Sequence, residues 1–176
     1  MHWKELNNML ALLRLFFKLC LFRQAPQDIP RSNALLSVII ALYAVIAFAV
    51  LAPHDDLLKG ALEVVVEISV TAGFVWGILA TANKPERYNQ VLCALLGADA
   101  LISSFTLPAI AASATGQLDA SIVSVLLTLM IWHWLVCAHI IRHALSQPLS
   151  VGLGIAFLYN LGFYQLMDAL FPMVGV

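Results

Sequence analysis

Residues 34–52 of the chain read ALLSVIIALYAVIAFAVLA, an apolar run of 19 residues without a charged side chain. At a helical rise of about 1.5 Å per residue, a run of this length crosses the hydrocarbon core of a bilayer, which is about 30 Å thick. Four more long apolar runs follow, at 60–82, 91–112, 120–141 and 151–171. They are too long for the strands of a membrane barrel, which need only about 10 residues of alternating polarity. The sequence therefore predicts an all-α integral membrane bundle of five transmembrane helices.

The composition of the whole chain points the same way. Of its 176 residues, 62% are hydrophobic and 11% are charged, whereas a soluble domain has about 25% charged residues. A soluble protein with so few charges could not cover its apolar surface, so the lipid bilayer is the first expected partner. The formal net charge is −1, which provides no basic field for nucleic acid. We expect no nucleic-acid partner.

The first 33 residues form a segment of their own. Basic and polar residues recur there at three- and four-residue steps, and apolar residues occupy the other sides of the same helix. Placing Arg14 and Lys18 at the centre of a crossing would cost about 2.5–3.5 kcal/mol each, whereas a helix in the interface leaves both in water. We therefore expect an amphipathic interfacial helix rather than a sixth span, ended near Gln24 by the prolines that follow. Its expected membrane-surface or partner-docking residues are Trp3, Lys4, Arg14 and Lys18.

The basic residues also predict an orientation. The chain has nine Lys and Arg residues. Eight of them lie on the same side of the membrane as the N-terminus, and only Lys59, beside the turn between the first two spans, lies on the opposite side. Short loops rich in Lys and Arg stay in the cytoplasm. The N-terminus is therefore expected to be cytoplasmic and the C-terminus to lie on the opposite side, most simply in a bacterial inner membrane.

Each apolar run carries one polar residue near its midpoint. These residues are Tyr43, Glu67, Asp99, His133 and Asn160. By helical rise all of them lie within about 6 Å of the bilayer centre, where an ionisable group is expensive unless it faces the bundle interior and finds a partner. We expect a central polar cluster in which Glu67 or Asp99 bonds to His133, with Tyr43 and Asn160 completing the network.

Two interpretations of this cluster stay open. Polar groups in a membrane can join helices through interhelical hydrogen bonds, each contributing about 0.6 kcal/mol. Carboxylates and histidines at membrane depth are also the parts from which proton or ion relays are built. We favour the structural interpretation and keep the relay as the alternative.

The second run carries two further features. Glu63 precedes Glu67 by four residues, and we expect Glu63 to be solvated at the outer interface while Glu67 lies deeper. Gly73 and Gly77 form a small-xxx-small pair on another side of the same helix. Such pairs allow close helix packing, so these two glycines are the expected packing residues.

The fourth run contains spacings that a metal can use. His133 and Cys137, and likewise His139 and His143, are four residues apart on one helix face. A structural zinc site needs four ligands, and spacing brings no third or fourth ligand near either pair. We expect no metal and no cofactor, although a haem or quinone subunit remains a third possibility. The chain also lacks nucleophile, phosphate-loop and H-E-x-x-H motifs, so we expect no enzyme.

The layout as a whole resembles a known family. A cytoplasmic N-terminal segment, five closely spaced spans and a C-terminus across the membrane resemble the integral-membrane domain of the YIP family, the Ypt-interacting proteins and their bacterial relatives. The resemblance rests on span count, short turns and the region 132–139. It implies a non-enzymatic membrane protein that works through partners or membrane shape.

The expected function is accordingly that of a membrane scaffold or accessory subunit. Its expected partners are a membrane or cytoplasmic protein, or further copies of the same chain. The alternative is a small proton-coupled transporter or channel that uses Glu67, Asp99 and His133.

Overall fold

The computed structural model describes the backbone of residues 2–51, 57–114 and 120–172 and the side chains of 11–51, 57–110 and 120–172. The helices are α1 (His2–Cys20), α2 (Asn33–Leu51), α3 (Leu57–Thr81), α4 (Tyr88–Ala114), α5 (Ala120–Leu145) and α6 (Leu149–Leu170), with short 3-10 turns at Pro26–Asp28 and Pro85–Arg87. The described residues contain no strand. Helices α2 to α6 are all long and apolar enough to cross a membrane. The prediction of an all-α, five-span membrane bundle is confirmed.

The observed helices follow the predicted runs closely. The largest differences are that α3 and α4 each begin three residues early, at Leu57 rather than 60 and at Tyr88 rather than 91, and that α5 continues to Leu145 rather than ending at 141. Helix α5 continues because no helix breaker occurs before Pro148. We call the inner end of the bundle the end at which α2, α4 and α6 begin, and the outer end the opposite one.

Burial is concentrated in the inner half of the bundle. All residues of α4 from 91 to 98 are buried, and so are all residues of α5 from 136 to 141. In the outer half of α5, none of the residues 120–131 is buried, as expected for apolar side chains that face lipid. Helix α4 lies at the centre and packs against α1, α2, α3 and α5.

Among the glycines that the structure describes, two let helices approach closely, and neither is one of the predicted pair. A Cβ added at Gly152 of α6 would lie 2.5 Å from the Ala138 carbonyl oxygen of α5, and a Cβ added at Gly97 of α4 would overlap the ring of Phe16. A Cβ at Gly73 or Gly77 would meet nothing within 4 Å. The predicted packing role of Gly73 and Gly77 is therefore wrong within this chain, because both point away from the buried side of α3.

Helix α1 is part of the core rather than an appendage. Phe16, Leu19 and Cys20 are buried, and the Phe16 ring lies against Gly97, about 14 Å along α4 from its first residue. The ring of Phe17 meets the ring of Phe105 further along α4, with centroids 6.3 Å apart. The last turns of α1 thus lie deeper in the bundle than expected for a helix lying wholly in the interface.

A hydrogen-bond network closes the inner end. The Gln90 side chain donates to the carbonyl oxygens of Gln27 and Ile29 at 3.0 and 2.7 Å and accepts from Arg31 Nε at 3.0 Å. Two basic side chains bind the last carbonyl groups of helix α5. Lys84 Nζ donates to the Leu145 carbonyl at 2.8 Å, and the Arg87 guanidinium donates to the carbonyls of His143 and Ala144. Cations near a helix C-terminus also interact favourably with the negative end of the helix dipole.

Candidate functional site

A polar cavity lies between the spanning helices. Its volume is about 170 Å³, which is room for several water molecules. Each of the five spans contributes one of its lining residues Tyr43, Glu67, Asp99, His133 and Asn160. Apolar or weakly polar residues complete the wall, namely Ala47, Val50, Leu51, Ser103, Tyr159 and Phe163. The structure therefore brings together all five polar residues that the sequence placed at mid-span.

The first bonded pair in this cavity joins α4 to α5. His133 Nε2 lies 3.0 Å from Asp99 Oδ1 and 3.4 Å from Cys137 Sγ, one turn further along α5. Asp99 follows directly on the buried run of α4, at a position that turns its carboxylate towards α5. Of the two carboxylates considered as partners of His133, Asp99 is the one bonded.

The second pair joins α2 to α3. The Tyr43 hydroxyl donates to Glu67 Oε2 at 3.0 Å, and the Tyr43 side chain is only 6% exposed. No basic side chain among the described residues lies within ion-pair distance of Glu67. Glu67 is therefore held by one neutral donor, whereas Asp99 is paired with a base.

A third bonded pair does not follow from the sequence. Thr71 Oγ1 lies 2.9 Å from the Tyr159 hydroxyl and donates to the Glu67 carbonyl at 2.8 Å. The Tyr159 ring stacks on Phe74, with centroids 4.2 Å apart. The sequence did carry a signal for Tyr159, since it is the neighbour of Asn160 near the midpoint of the last run. Asn160 itself lines the cavity.

A second cavity adjoins the first towards the outer end. It measures about 430 Å³ and its charged lining residues are Lys59, Glu63, Glu67 and Asp168. The two cavities share Val50, Leu51, Glu67 and Phe163. We call the first the mid-bundle cavity and the second the vestibule.

The vestibule corrects the expectation for Glu63. The side chain of Glu63 is buried, and its Oε1 lies 3.6 Å from Lys59 Nζ. Because α3 begins three residues earlier than expected, with Leu57 in place of residue 60, Glu63 lies beyond the first turn with Lys59 one turn before it. The prediction that Glu63 is solvated at the interface is wrong.

The remaining histidines lie at the inner end. His139 Nε2 is 2.8 Å from the Gln24 carbonyl oxygen, and the His139 and His143 rings are 4.6 Å apart. His139 is buried and packs on Phe22. Within the described part of the chain, no three His, Cys, Asp or Glu residues are grouped so as to hold a metal.

The structure describes the side chains of two of the four predicted docking residues. Arg14 and Lys18 are exposed on α1. Trp3 and Lys4 belong to α1, but their side chains lie outside the described residues.

Comparisons of the chain with family models, curated proteins and solved structures found no match. The mid-bundle cavity, the vestibule and α1 are therefore the features of this chain that bear on its function.

Proposed function

We propose that this chain is a small proton-coupled transporter or channel whose proton-exchanging groups are Glu67, Asp99 and His133. One observation carries the proposal: polar side chains from five different spans surround a single cavity at mid-bundle. Ionisable groups at this depth are costly, and their usual roles are ion pathways and proton relays.

The bonding pattern suits proton exchange. The Asp99–His133 pair, at 3.0 Å, holds a proton between a carboxylate and an imidazole, the side chain that changes charge nearest to neutral pH. Glu67 is bonded to a neutral hydroxyl, so protonation of Glu67 removes a charge from the cavity without breaking an ion pair. The cavity thus combines a carboxylate paired with a base and a carboxylate held by a neutral hydroxyl.

Purified protein in vesicles that contain a pH-sensitive dye tests this proposal. We expect the parent protein to dissipate an imposed pH gradient, and Glu67→Gln to abolish that flux. Glu86→Gln is the matched control, because Glu86 is an exposed carboxylate in the α3–α4 turn, outside both cavities. Absence of flux in the parent protein, or unchanged flux in Glu67→Gln, would overturn the proposal.

A second candidate function is favoured by α1. Leu13 and Phe17 are 50% and 43% exposed, and they share the helix with the exposed Arg14 and Lys18. Such a surface suits anionic lipid or a protein partner. It supports a non-enzymatic scaffold or accessory subunit, the function implied by the resemblance to the YIP family.

The scaffold has its own test. The double variant Arg14→Gln, Lys18→Gln keeps the buried residues of α1 and removes its exposed charges. We expect this variant to lose a co-purified partner in mild detergent, or binding to anionic vesicles, while the bundle stays folded. Retention of both would leave the second candidate without support.

For the orientation, we propose a cytoplasmic N-terminus and a C-terminus on the far side, in a bacterial inner membrane. The support is the bias of basic residues, of which Lys59 alone among nine lies at the outer end. A phosphatase reporter fused to the C-terminus is expected to be active, and the same reporter inserted in the α3–α4 turn to be inactive. The reverse pattern would invert the topology.

A further inference from the structure

We propose that the vestibule and the mid-bundle cavity form one binding pocket for a small organic monocation of the alkylammonium class, open to the outer end and closed at the inner end. The proposal rests on the proposed function for its purpose, since the monocation would be the species moved against protons. Its structural basis is independent of any flux.

The access route follows from the shared walls. Val50, Leu51, Glu67 and Phe163 line both cavities, so the two volumes meet at these side chains. We call this ring of four residues the neck. The vestibule also reaches Met167 and Asp168 in the last turn of α6 and Phe171 just after it, and this turn belongs to the outer end. A ligand thus passes from the outer end through the neck to Asp99 and His133.

The described residues at the inner end pack closely together. Between the mid-bundle cavity and the inner end, Leu96 of α4 and Val136 and Ile140 of α5 have no exposed surface. Gly152 brings the backbones of α5 and α6 so close that an added Cβ would lie 2.5 Å from the Ala138 carbonyl. The network around Gln90 then ties the segment after α1 across this end.

The charges of the pocket select a cation. Glu63 is paired with Lys59 at 3.6 Å, and Asp99 with His133 at 3.0 Å. Among the described residues, Glu67 and Asp168 have no base within ion-pair distance. One of these carboxylates lies at the neck and the other at the vestibule wall. Two carboxylates without a basic partner in a concave site attract cations and repel anions.

The aromatic side chains favour an organic monocation over a hydrated divalent metal. Tyr43, Tyr159 and Phe163 line the mid-bundle cavity, and Tyr164 and Phe171 line the vestibule. Ring faces attract alkylammonium groups through cation–π interaction. A divalent metal instead needs several oxygen or nitrogen ligands around one point, and the described residues contain no such group.

Thiol labelling tests both the access side and the charge preference. Val50 lies at the neck, and the native cysteines Cys20, Cys93 and Cys137 are all buried. The probes are two membrane-impermeant methanethiosulfonates of similar size, one bearing a trimethylammonium group and one a sulfonate. Glu86→Cys marks the inner end. Labelling of each variant is measured from each face of sealed vesicles and corrected for the parent protein.

We expect Val50→Cys to be labelled only from the face opposite to that which labels Glu86→Cys. We expect the cationic probe to react faster than the anionic one by on the order of ten-fold, the scale of electrostatic focusing in clefts. Adding Glu67→Gln should collapse this ratio, and adding Glu86→Gln should leave it unchanged. Asn160→Cys, inside the cavity, provides a second labelling position if Val50→Cys does not fold, and the same pattern is expected there.

Labelling from the same face as Glu86→Cys, no labelling from either face, or equal rates for the two probes would overturn the inference. The flux assay is separate, so the two proposals can fail separately. Selective labelling without proton flux supports the pocket and rejects the transporter, whereas flux with unselective labelling does the reverse.

Discussion

His133 Nε2 of α5 lies 3.0 Å from Asp99 Oδ1 of α4, so the two helices with the longest buried runs are also joined by a polar contact at mid-bundle. Inward of this contact, α4 is buried from 91 to 98 and α5 from 136 to 141, and outward of it Ser103 of α4 lines the cavity. The Asp99–His133 pair thus marks the boundary between the packed and the open half of the bundle.

Removal of either partner of this pair should destabilise the bundle. We expect Asp99→Ala and His133→Ala each to lower the free energy of unfolding in detergent by about 1–3 kcal/mol, because the remaining partner loses its bond. The double variant should lose less than the sum of the two. Denaturant titration in mixed micelles measures all of these values, and strictly additive losses would contradict direct coupling.

Gly152→Ala should force α5 and α6 apart. The new Cβ would lie 2.5 Å from the Ala138 carbonyl oxygen and 2.9 Å from Arg142 Cβ, and backbone atoms cannot turn aside as a side chain can. We expect a loss of about 1–3 kcal/mol, typical of overpacking. Gly154→Ala is the control, since a Cβ there meets nothing within 4 Å. Equal unfolding midpoints for the two variants would refute this packing.

Trp132→Phe should loosen the end of α1. The Trp132 indole donates to the Cys20 carbonyl at 3.0 Å, so its loss leaves a terminal carbonyl of α1 without a donor. We expect the buried Cys20 thiol to react several-fold faster with a small uncharged maleimide than it does in the parent protein. Trp134→Phe, whose indole donates instead to the Leu153 carbonyl of α6 at 3.3 Å, should leave the Cys20 rate unchanged. Identical rates in both variants would argue against the contact.

Gln90→Leu should open the inner end. The Gln90 amide serves two carbonyls of the segment between α1 and α2, and leaving them unsatisfied costs about 1–3 kcal/mol. We expect trypsin to cleave after Arg23 and Arg31 faster in this variant than in the parent protein, with the fragments measured by mass spectrometry. Asn89→Ala, which removes a single bond to Asn33, should show little change. Protection as strong as in the parent protein would mean that Gln90 does not hold this segment.

The spans were predictable because length and apolarity alone decide them. The depth of Tyr43, Glu67, Asp99, His133 and Asn160 also followed from the helical rise, and these residues do surround one cavity. Which residue bonds to which did not follow. A helix of known depth is still free to rotate about its axis, and that rotation decides whether His133 meets Asp99 or Glu67.

The errors have the same origin. Gly73 and Gly77 have the spacing of a packing motif, but the side of α3 that is buried carries Val64, Thr71 and Val75 instead. Glutamate usually lies at the surface of a protein. The burial of Glu63 is explained only by the earlier start of α3 and by its ion pair with Lys59. Neither the rotation of a helix nor its first turn can be read from apolar residues that occur on every side.

The central position of α4 has a consequence for biosynthesis. Ribosomes deliver helices in chain order, and α4 follows α1, α2 and α3, three of the four neighbours against which it packs. When α4 leaves the insertion machinery, it meets a membrane that already holds most of its final surroundings. The bonding partner of the Asp99 carboxylate, His133, then arrives with α5, the next helix of the nascent chain.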